Sequence, residues 1–234
     1  RNGLGIKLLN VFSSEFELEC CDPTKNLVYR QKWTDHMKNC SKPKISSKKK
    51  EKGYTKISWI PDFSLFGMER YNNTHIALYR KYTMDAAMVT KIPIYWNGEK
   101  IVFKKFSSYV NMYLSESSVS FCDGIITNED NPKDTFSMEY VICESFLPFP
   151  CVSFVNGICT SEGGIHCDKF TGELYKLLCK RLSRLKISPK DLKQYFTIFL
   201  NVSVINPEFS SQSKTKMVSC ASTIQCSFPP RIVN

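Results

Sequence analysis

The sequence predicts a mixed α+β protein with well-developed hydrophobic cores, and three observations carry that prediction. Hydrophobic residues make up 42% of the 234-residue chain and aromatic residues 13%, enough apolar material for one large or two ordinary domains. Residues 197–205 alternate Ile198, Leu200, Val202 and Val204 with Thr197, Phe199, Asn201 and Ser203, as a half-buried strand requires. A segment further upstream instead sets Phe170, Leu174, Leu177, Leu178, Leu182 and Leu185 on one face. Lys169, Glu173, Lys176, Lys180 and Arg184 lie opposite, which is the spacing of an amphipathic helix.

Taken in order, the chain opens with Arg1, Asn2, Gly3, Leu4, Gly5, Ile6 and Lys7, then turns apolar at Leu8, Leu9, Val11 and Phe12. Glycines let bare N–H groups approach a ligand, and the helical turn that follows would offer its N-terminus to negative charge. The segment fits a phosphate cradle or a plain turn, and it lacks the P-loop pattern. Residues 15–21 alternate Phe16, Leu18 and Cys20 against Glu17 and Glu19. They are expected to pair with 27–33 across the turn-rich stretch 22–26. Residues 38–56 gather Lys42, Lys44, Lys48, Lys49, Lys50, Lys52 and Lys56 among serines, which predicts a solvated, mobile loop or a DNA contact. A strand follows at 54–59, then a turn at 61–66 and a helix at 73–89. A hairpin at 92–103 turns on Asn97-Gly98.

A serine-rich stretch, Ser115, Ser117, Ser118 and Ser120, places a domain boundary near residue 115. Beyond it the pattern predicts strands at 135–143 and 151–158. A Gly163-Gly164 turn then leads into the amphipathic helix, and Ser188-Pro189 opens a short helix as N-cap and first-turn proline. Strand 197–205 closes a β-β-α-β order. It delivers a polar loop, Asn206-Pro207-Glu208-Phe209-Ser210-Ser211-Gln212-Ser213-Lys214-Thr215-Lys216, that is either an ordinary solvated tip or a carrier of Gln212 and Lys214 to an anion. His166 is expected to cap or brace its helix, since no Ser or Cys partner shows triad logic.

The net charge of +10 favours polyanionic partners without specifying fold or site. No apolar run reaches the roughly 18 residues that cross a bilayer as a helix, so no membrane partner is expected. Because the first residue is Arg1, the chain is expected to be a piece of a longer polypeptide. The eleven cysteines are an odd number in a large chain, and Cys143, Cys151 and Cys159 sit inside apolar strand patterns, which favours reduced thiols and an intracellular setting. Cys20-Cys21, His166-Cys167 and Cys220/Cys226 assemble no zinc spacing, so no metal ligand is assigned.

Three blocks in this order resemble eukaryotic-type type IIA DNA topoisomerases. Residues 1–7 are similar to their Arg-Asn-Gly-Tyr-Gly-Ala-Lys segment. Ser153-Phe154-Val155-Asn156 with Gly163-Gly164-Ile165-His166 is similar to their Ser-Phe-Val-Asn and Gly-Gly-x-His block. Residues 206–214 are similar to their Asn-Pro-x-Phe-x-Ser-Gln-Thr-Lys loop. The resemblance implies that residues 1–115 are the C-terminal part of a Bergerat-type ATPase sandwich and that 116–234 are a transducer domain with a sheet backed by helices. It further implies an ATP-gated dimerisation clamp that couples ATP to passage of one DNA duplex through another. ATP and Mg2+ would be cofactors, double-stranded DNA a partner, and the parent enzyme a homodimer.

Carried over residue by residue, the phosphate cradle is Arg1, Asn2, Gly3, Leu4, Gly5, Ile6 and Lys7, and the γ-phosphate sensor is Gln212 and Lys214 beside Ser213. Lys180, Arg181, Arg184 and Lys186 stand where the family's DNA-contacting loop follows the long helix, in reduced form. Leu4 and Ile6 replace a Tyr and an Ala, and Ser213 replaces a Thr. The family's general base, its magnesium ligands and its DNA-cutting tyrosine fall outside this chain, so the fragment alone is expected to be inactive. The divergence points to a large cytoplasmic DNA virus, with host cytoplasm as the compartment, or otherwise to a nuclear enzyme. Two other readings remain: a mismatch-repair-like clamp of the same fold, and a basic nucleic-acid-binding domain without nucleotide.

Overall fold

The computed structural model describes residues 3–47, 52–114, 121–127, 136–144, 150–219, 224, 226 and 228. Arg1, Asn2 and part of the lysine-rich segment lie outside them. The chain divides into two compact units, residues 1–76 and 77–234.

In the first unit, helix α1 (Leu4–Val11) leads into β1 (Ser13–Asp22), β2 (Leu27–Thr34), β3 (Asn39–Cys40), β4 (Lys44–Ser47) and β5 (Tyr54–Pro61), followed by a 3-10 turn at Phe63–Phe66. These strands form one antiparallel sheet in the order β3-β2-β1-β5, with β4 also paired to β2. The turn 22–26 closes β1 on β2 in register, with Asp22 opposite Leu27 and Asn26 at φ 54. Residues 38–56 differ from the expected loop, because β3 and β4 are strands. Main-chain pairing to β2 is indifferent to side-chain charge, and every β4 side chain stays exposed, so the charges remain hydrated.

The second unit is entered along helix α2 (Asn73–Thr90). It continues through β6 (Ile94–Trp96), β7 (Glu99–Ile101), α3 (Phe106–Val110), β8 (Phe121–Thr127), β9 (Ser137–Glu144), β10 (Cys151–Val155), β11 (Ile158–Cys159), α4 (Ile165–Arg181), α5 (Pro189–Lys193) and β12 (Phe196–Ser203). Its main sheet runs β11-β10-β12-β9-β8, with β10 parallel to β12 and the other pairs antiparallel. A parallel neighbour requires a long crossover, and α4 supplies it.

Strand β12 is the centre of this unit, and it departs from the expected half-buried pattern by being buried on both faces. Ile198, Leu200 and Val202 pack with Met138, Tyr140, Phe170 and Leu174 on one side. Phe199 packs with Val141, Phe154, Met88, Phe106 and Tyr109 on the other. Period-two alternation holds, but both faces are covered because helices flank this sheet on each side. The expected single strand 151–158 is a hairpin, since Asn156 (φ 47) and Gly157 (φ 81) reverse the chain between β10 and β11. Strand β8 has no counterpart among the strands expected from sequence, and it is an edge strand whose partner is β9. Leu185, expected on the apolar face of α4, is 65% exposed because α4 ends at Arg181 and a 3-10 turn rotates residues 183–185 off that face. The Ser188 cap forms as expected: its hydroxyl and main chain exchange hydrogen bonds with Asp191 in a capping box.

Candidate functional site

The glycine-rich opening belongs to the first unit. Gly3 is the N-cap of α1 with φ 63, a left-handed conformation that suits glycine, and no side chain caps the helix. Among the described residues no side chain caps the first-turn N–H groups, which sit at the positive end of the helix dipole. Among the described residues, nothing lies within 4 Å of where a Cβ would stand on Gly3 or Gly5, so the backbone is open to close approach. Leu4 and Ile6 are 47% and 45% exposed and take no part in a core. Neither side chain is fixed in a core at the start of α1, and Lys7 is exposed beside them. The donor set fits a phosphate group.

The polar loop belongs to the second unit, and the sequence block that precedes it holds it in place. Asn156 binds the end of β12 through a pair of hydrogen bonds, its Nδ2 donating to the Val204 carbonyl at 2.7 Å and its Oδ1 accepting from the Val204 N–H at 2.9 Å. The returning arm is clamped by the Gly163-Gly164 turn: the Met217 N–H donates to the Gly163 carbonyl at 3.1 Å, and the Ile165 N–H donates to the Met217 carbonyl at 3.2 Å. The Glu162 N–H donates to the Thr215 carbonyl at 2.9 Å. The two arms also pair with each other, Ser210 to Lys216 and Val218 to Glu208.

This clamped base leaves residues 211–215 as a short tip. The Lys214 N–H closes a turn on the Ser211 carbonyl at 3.1 Å, with Lys214 at φ 59. Ser213 shares a hydrogen bond with Ser211 at 2.6 Å, so its hydroxyl is engaged within the loop. Gln212 is exposed and Lys214 half-buried, and among the described residues no carboxylate pairs with the Lys214 ammonium. The turn fixes the Lys214 main chain, and with no counter-ion among the described residues its ammonium is available to an anion.

Sequence reasoning placed His166 at the helix start, and the structure shows what it braces there. Its ring is fully buried, with Nε2 at 3.2 Å from the Thr160 Oγ1, and Thr160 in turn meets Ser153 of β10 at 2.5 Å. Asn156, Gly163 and Gly164 thus hold the arms of the loop, while Ser153 and His166, through Thr160, tie β10 to the start of α4. Their shared signal in the sequence was the block itself, but its role needed the fold. At the far end of α4, Lys180 and Arg181 occupy the last helical turn, Arg184 lies in the 3-10 turn, and Lys186 follows at φ 51. All four are exposed.

The first unit thus carries a glycine-rich helix start, and the second is an α+β unit whose parallel crossover is followed by a clamped Gln/Lys loop. Residues 105–227 match the family described as DNA gyrase B, and the chain belongs to that family. It is 32% identical over 233 residues to a protein named DNA topoisomerase 2 from Acanthamoeba polyphaga mimivirus, covering 97% of this chain and 18% of that relative. It is also 32% identical over 249 residues to the Saccharomyces cerevisiae protein of the same name, covering 100% of this chain and 17% of the relative. The chain therefore spans under a fifth of the length of these relatives. The crystal structure of the ATPase region of S. cerevisiae topoisomerase II superposes with a TM-score of 0.81 at 31% identity, over 100% of this chain and 60% of that one. The ATPase and transducer domains of topoisomerase II from Balamuthia mandrillaris give 0.76 at 27% identity, again over 100% and 60%.

Proposed function

We propose that this chain is the ATP-binding, ATP-gated clamp region of a type II DNA topoisomerase. Residues 1–115 are the C-terminal part of the ATPase domain in this reading, and residues 116–234 are the transducer. Arg1, Asn2, Gly3, Leu4, Gly5, Ile6 and Lys7 cradle the nucleotide phosphates, chiefly through main-chain N–H groups at the start of α1. Gln212 and Lys214 contact the γ-phosphate, with Ser213 shaping the turn between them.

The observation that carries the reading is the loop tip. Its base is fastened to β12 and to the Gly163-Gly164 turn, yet its Lys214 ammonium has no acidic partner among the described residues. When bound, ATP with Mg2+ supplies the phosphoryl group whose transfer gathers negative charge. Lys214 and Gln212 orient that group and offset the charge, which is the main form of catalysis open to a protein in phosphoryl transfer. The general base and the magnesium ligands belong to residues other than these. Because one arm of the loop continues β12 and the other is bonded to the Gly163-Gly164 turn that opens α4, a change in what Lys214 holds is felt by the sheet core. That gives the transducer a physical route from nucleotide state to movement of DNA. Double-stranded DNA, ATP and a second copy of the parent enzyme are the partners of this reading, in an intracellular setting.

The test is Lys214→Ala in the polypeptide that carries this chain. DNA-stimulated ATP turnover and supercoil relaxation should fall by about 100-fold or more, the usual effect of removing one transition-state donor. Unchanged turnover with unchanged relaxation would remove Lys214 from the site.

A further inference from the structure

We propose that Cys151 and Cys167 form a dithiol modification site, oxidised by peroxides to a disulfide that fastens the start of β10 to the first turn of α4. The two sulfurs stand 3.4 Å apart, with the Cys151 thiol directed at the Cys167 sulfur. Closure to the S–S bond length of about 2.05 Å asks only for a small adjustment of the two side chains. Both cysteines line an open cleft of about 590 Å³, together with Ser161, Gly164, Thr171 and Tyr175, which gives a small oxidant a way in. Cys151 is partly exposed and Cys167 is 6% exposed.

The surroundings distinguish the two thiols. Cys167 lies in the first turn of α4, where the helix dipole favours a thiolate, and its sulfur is 3.3 Å from the His166 Nε2. The hydrogen bond from Cys151, followed by that of His166, holds the Cys167 thiol below its ordinary value, while the same shared bond and burial push Cys151 up. Cys167 is therefore the nucleophile and Cys151 the resolving thiol.

In the first step the Cys167 thiolate attacks one peroxide oxygen. An S–O bond forms, the O–O bond breaks, and the departing hydroxide takes up the proton that the Cys167 thiol gave up on ionising, leaving as water. In the second, Cys151 gives up its proton and attacks the Cys167 sulfur. The S–S bond forms, the S–O bond breaks, and the departing hydroxide takes up the proton as water. Two electrons pass from the sulfurs to the peroxide, and the sum is two thiols plus hydrogen peroxide giving one disulfide and two waters. The closed segment contains Gly163 and Gly164, so the crosslink encloses the turn that clamps the polar loop.

The experiment treats the polypeptide carrying this chain with hydrogen peroxide, blocks remaining thiols with iodoacetamide, and maps peptides by mass spectrometry without reduction. The expected product is a peptide pair joined through Cys151 and Cys167, lighter than its reduced parts by two hydrogens and separated by dithiothreitol. Cys151→Ser should leave Cys167 as a sulfenic acid that dimedone labels, and Cys167→Ser should leave Cys151 unlabelled. Full alkylation of both cysteines after peroxide, pairing of either with a different cysteine, or dimedone labelling of Cys151 in Cys167→Ser would overturn the assignment.

Discussion

Gly164 packs directly on the main chain of Met217. A Cβ at Gly164 would lie 2.7 Å from the Met217 nitrogen and closer still to its carbonyl oxygen, and the glycine itself has φ 131 and ψ −166. No L side chain is at ease in that conformation, and no flexible side-chain end is there to yield, because the neighbour is backbone. The contact explains why a glycine stands at the start of α4 and why the polar loop returns where it does. Gly164→Ala should cost about 2–4 kcal/mol from strain and overpacking together. Urea denaturation measures the loss, and a stability equal to the parent's would show that the loop does not depend on this approach.

His166 fastens the start of α4 to Thr160. It is wholly buried against Thr160 and Cys167, and its Nδ1 has no hydrogen-bond partner among the described residues. His166→Ala leaves a cavity and strips the Thr160 hydroxyl of that partner, so stability should drop by about 2–4 kcal/mol. Equilibrium unfolding checks the loss. His166→Gln, which keeps an amide nitrogen near Thr160, should recover part of it, whereas equal losses for both would mean that packing alone matters.

A third prediction concerns alkaline pH. Asp85, 6% exposed on α2, accepts from the Tyr109 Oη at 2.6 Å and from the Lys81 Nζ at 2.5 Å. Burial, then the hydrogen bond to Asp85, raises the Tyr109 phenol well above its ordinary value. Burial by itself would lower the Lys81 ammonium, but the hydrogen bond and charge of Asp85 outweigh it and leave it raised. Both folded values lie above the unfolded ones of about 10 for Tyr and 10.4 for Lys, so this stabilisation is complete below pH ~10 and is lost as pH climbs through the folded values. Asp85→Asn should therefore be less stable at neutral pH, with a gap to the parent that narrows above pH ~10. A gap independent of pH would exclude the mechanism.

A fourth concerns the basic end of α4. If Lys180, Arg184 and Lys186 meet duplex phosphates, replacing all three by Gln should weaken DNA binding uniformly across sequences. The slope of log affinity against log salt should shrink by about 0.9 for each phosphate that is no longer neutralised. An unaltered slope would place the DNA elsewhere on the molecule.

Much of the architecture was legible in the chain. The turn 22–26, the Asn97-Gly98 hairpin, the Ser188 cap and strand β12 all rest on local rules of backbone and period, which act within a few residues. What escaped was set by distant partners. Strands β3 and β4 owe their existence to β2, whereas the β10–β11 reversal was readable from Asn156-Gly157, the same turn dipeptide as Asn97-Gly98. Strand β8 owes its pairing to β9, and Leu185 lost its place in the apolar stripe where α4 stopped.

By itself, the sequence determined the α+β class, the glycine-rich helix start, the Gln212–Lys214 tip and the order of the three blocks, because each is written in residues close together along the chain. Only the tertiary structure decided that Asn156, Gly163 and Gly164 serve that tip. They lie far before it in the chain, and hydrogen bonds to Val204, Thr215 and Met217 join this segment to it only after α4 has carried the chain across the sheet.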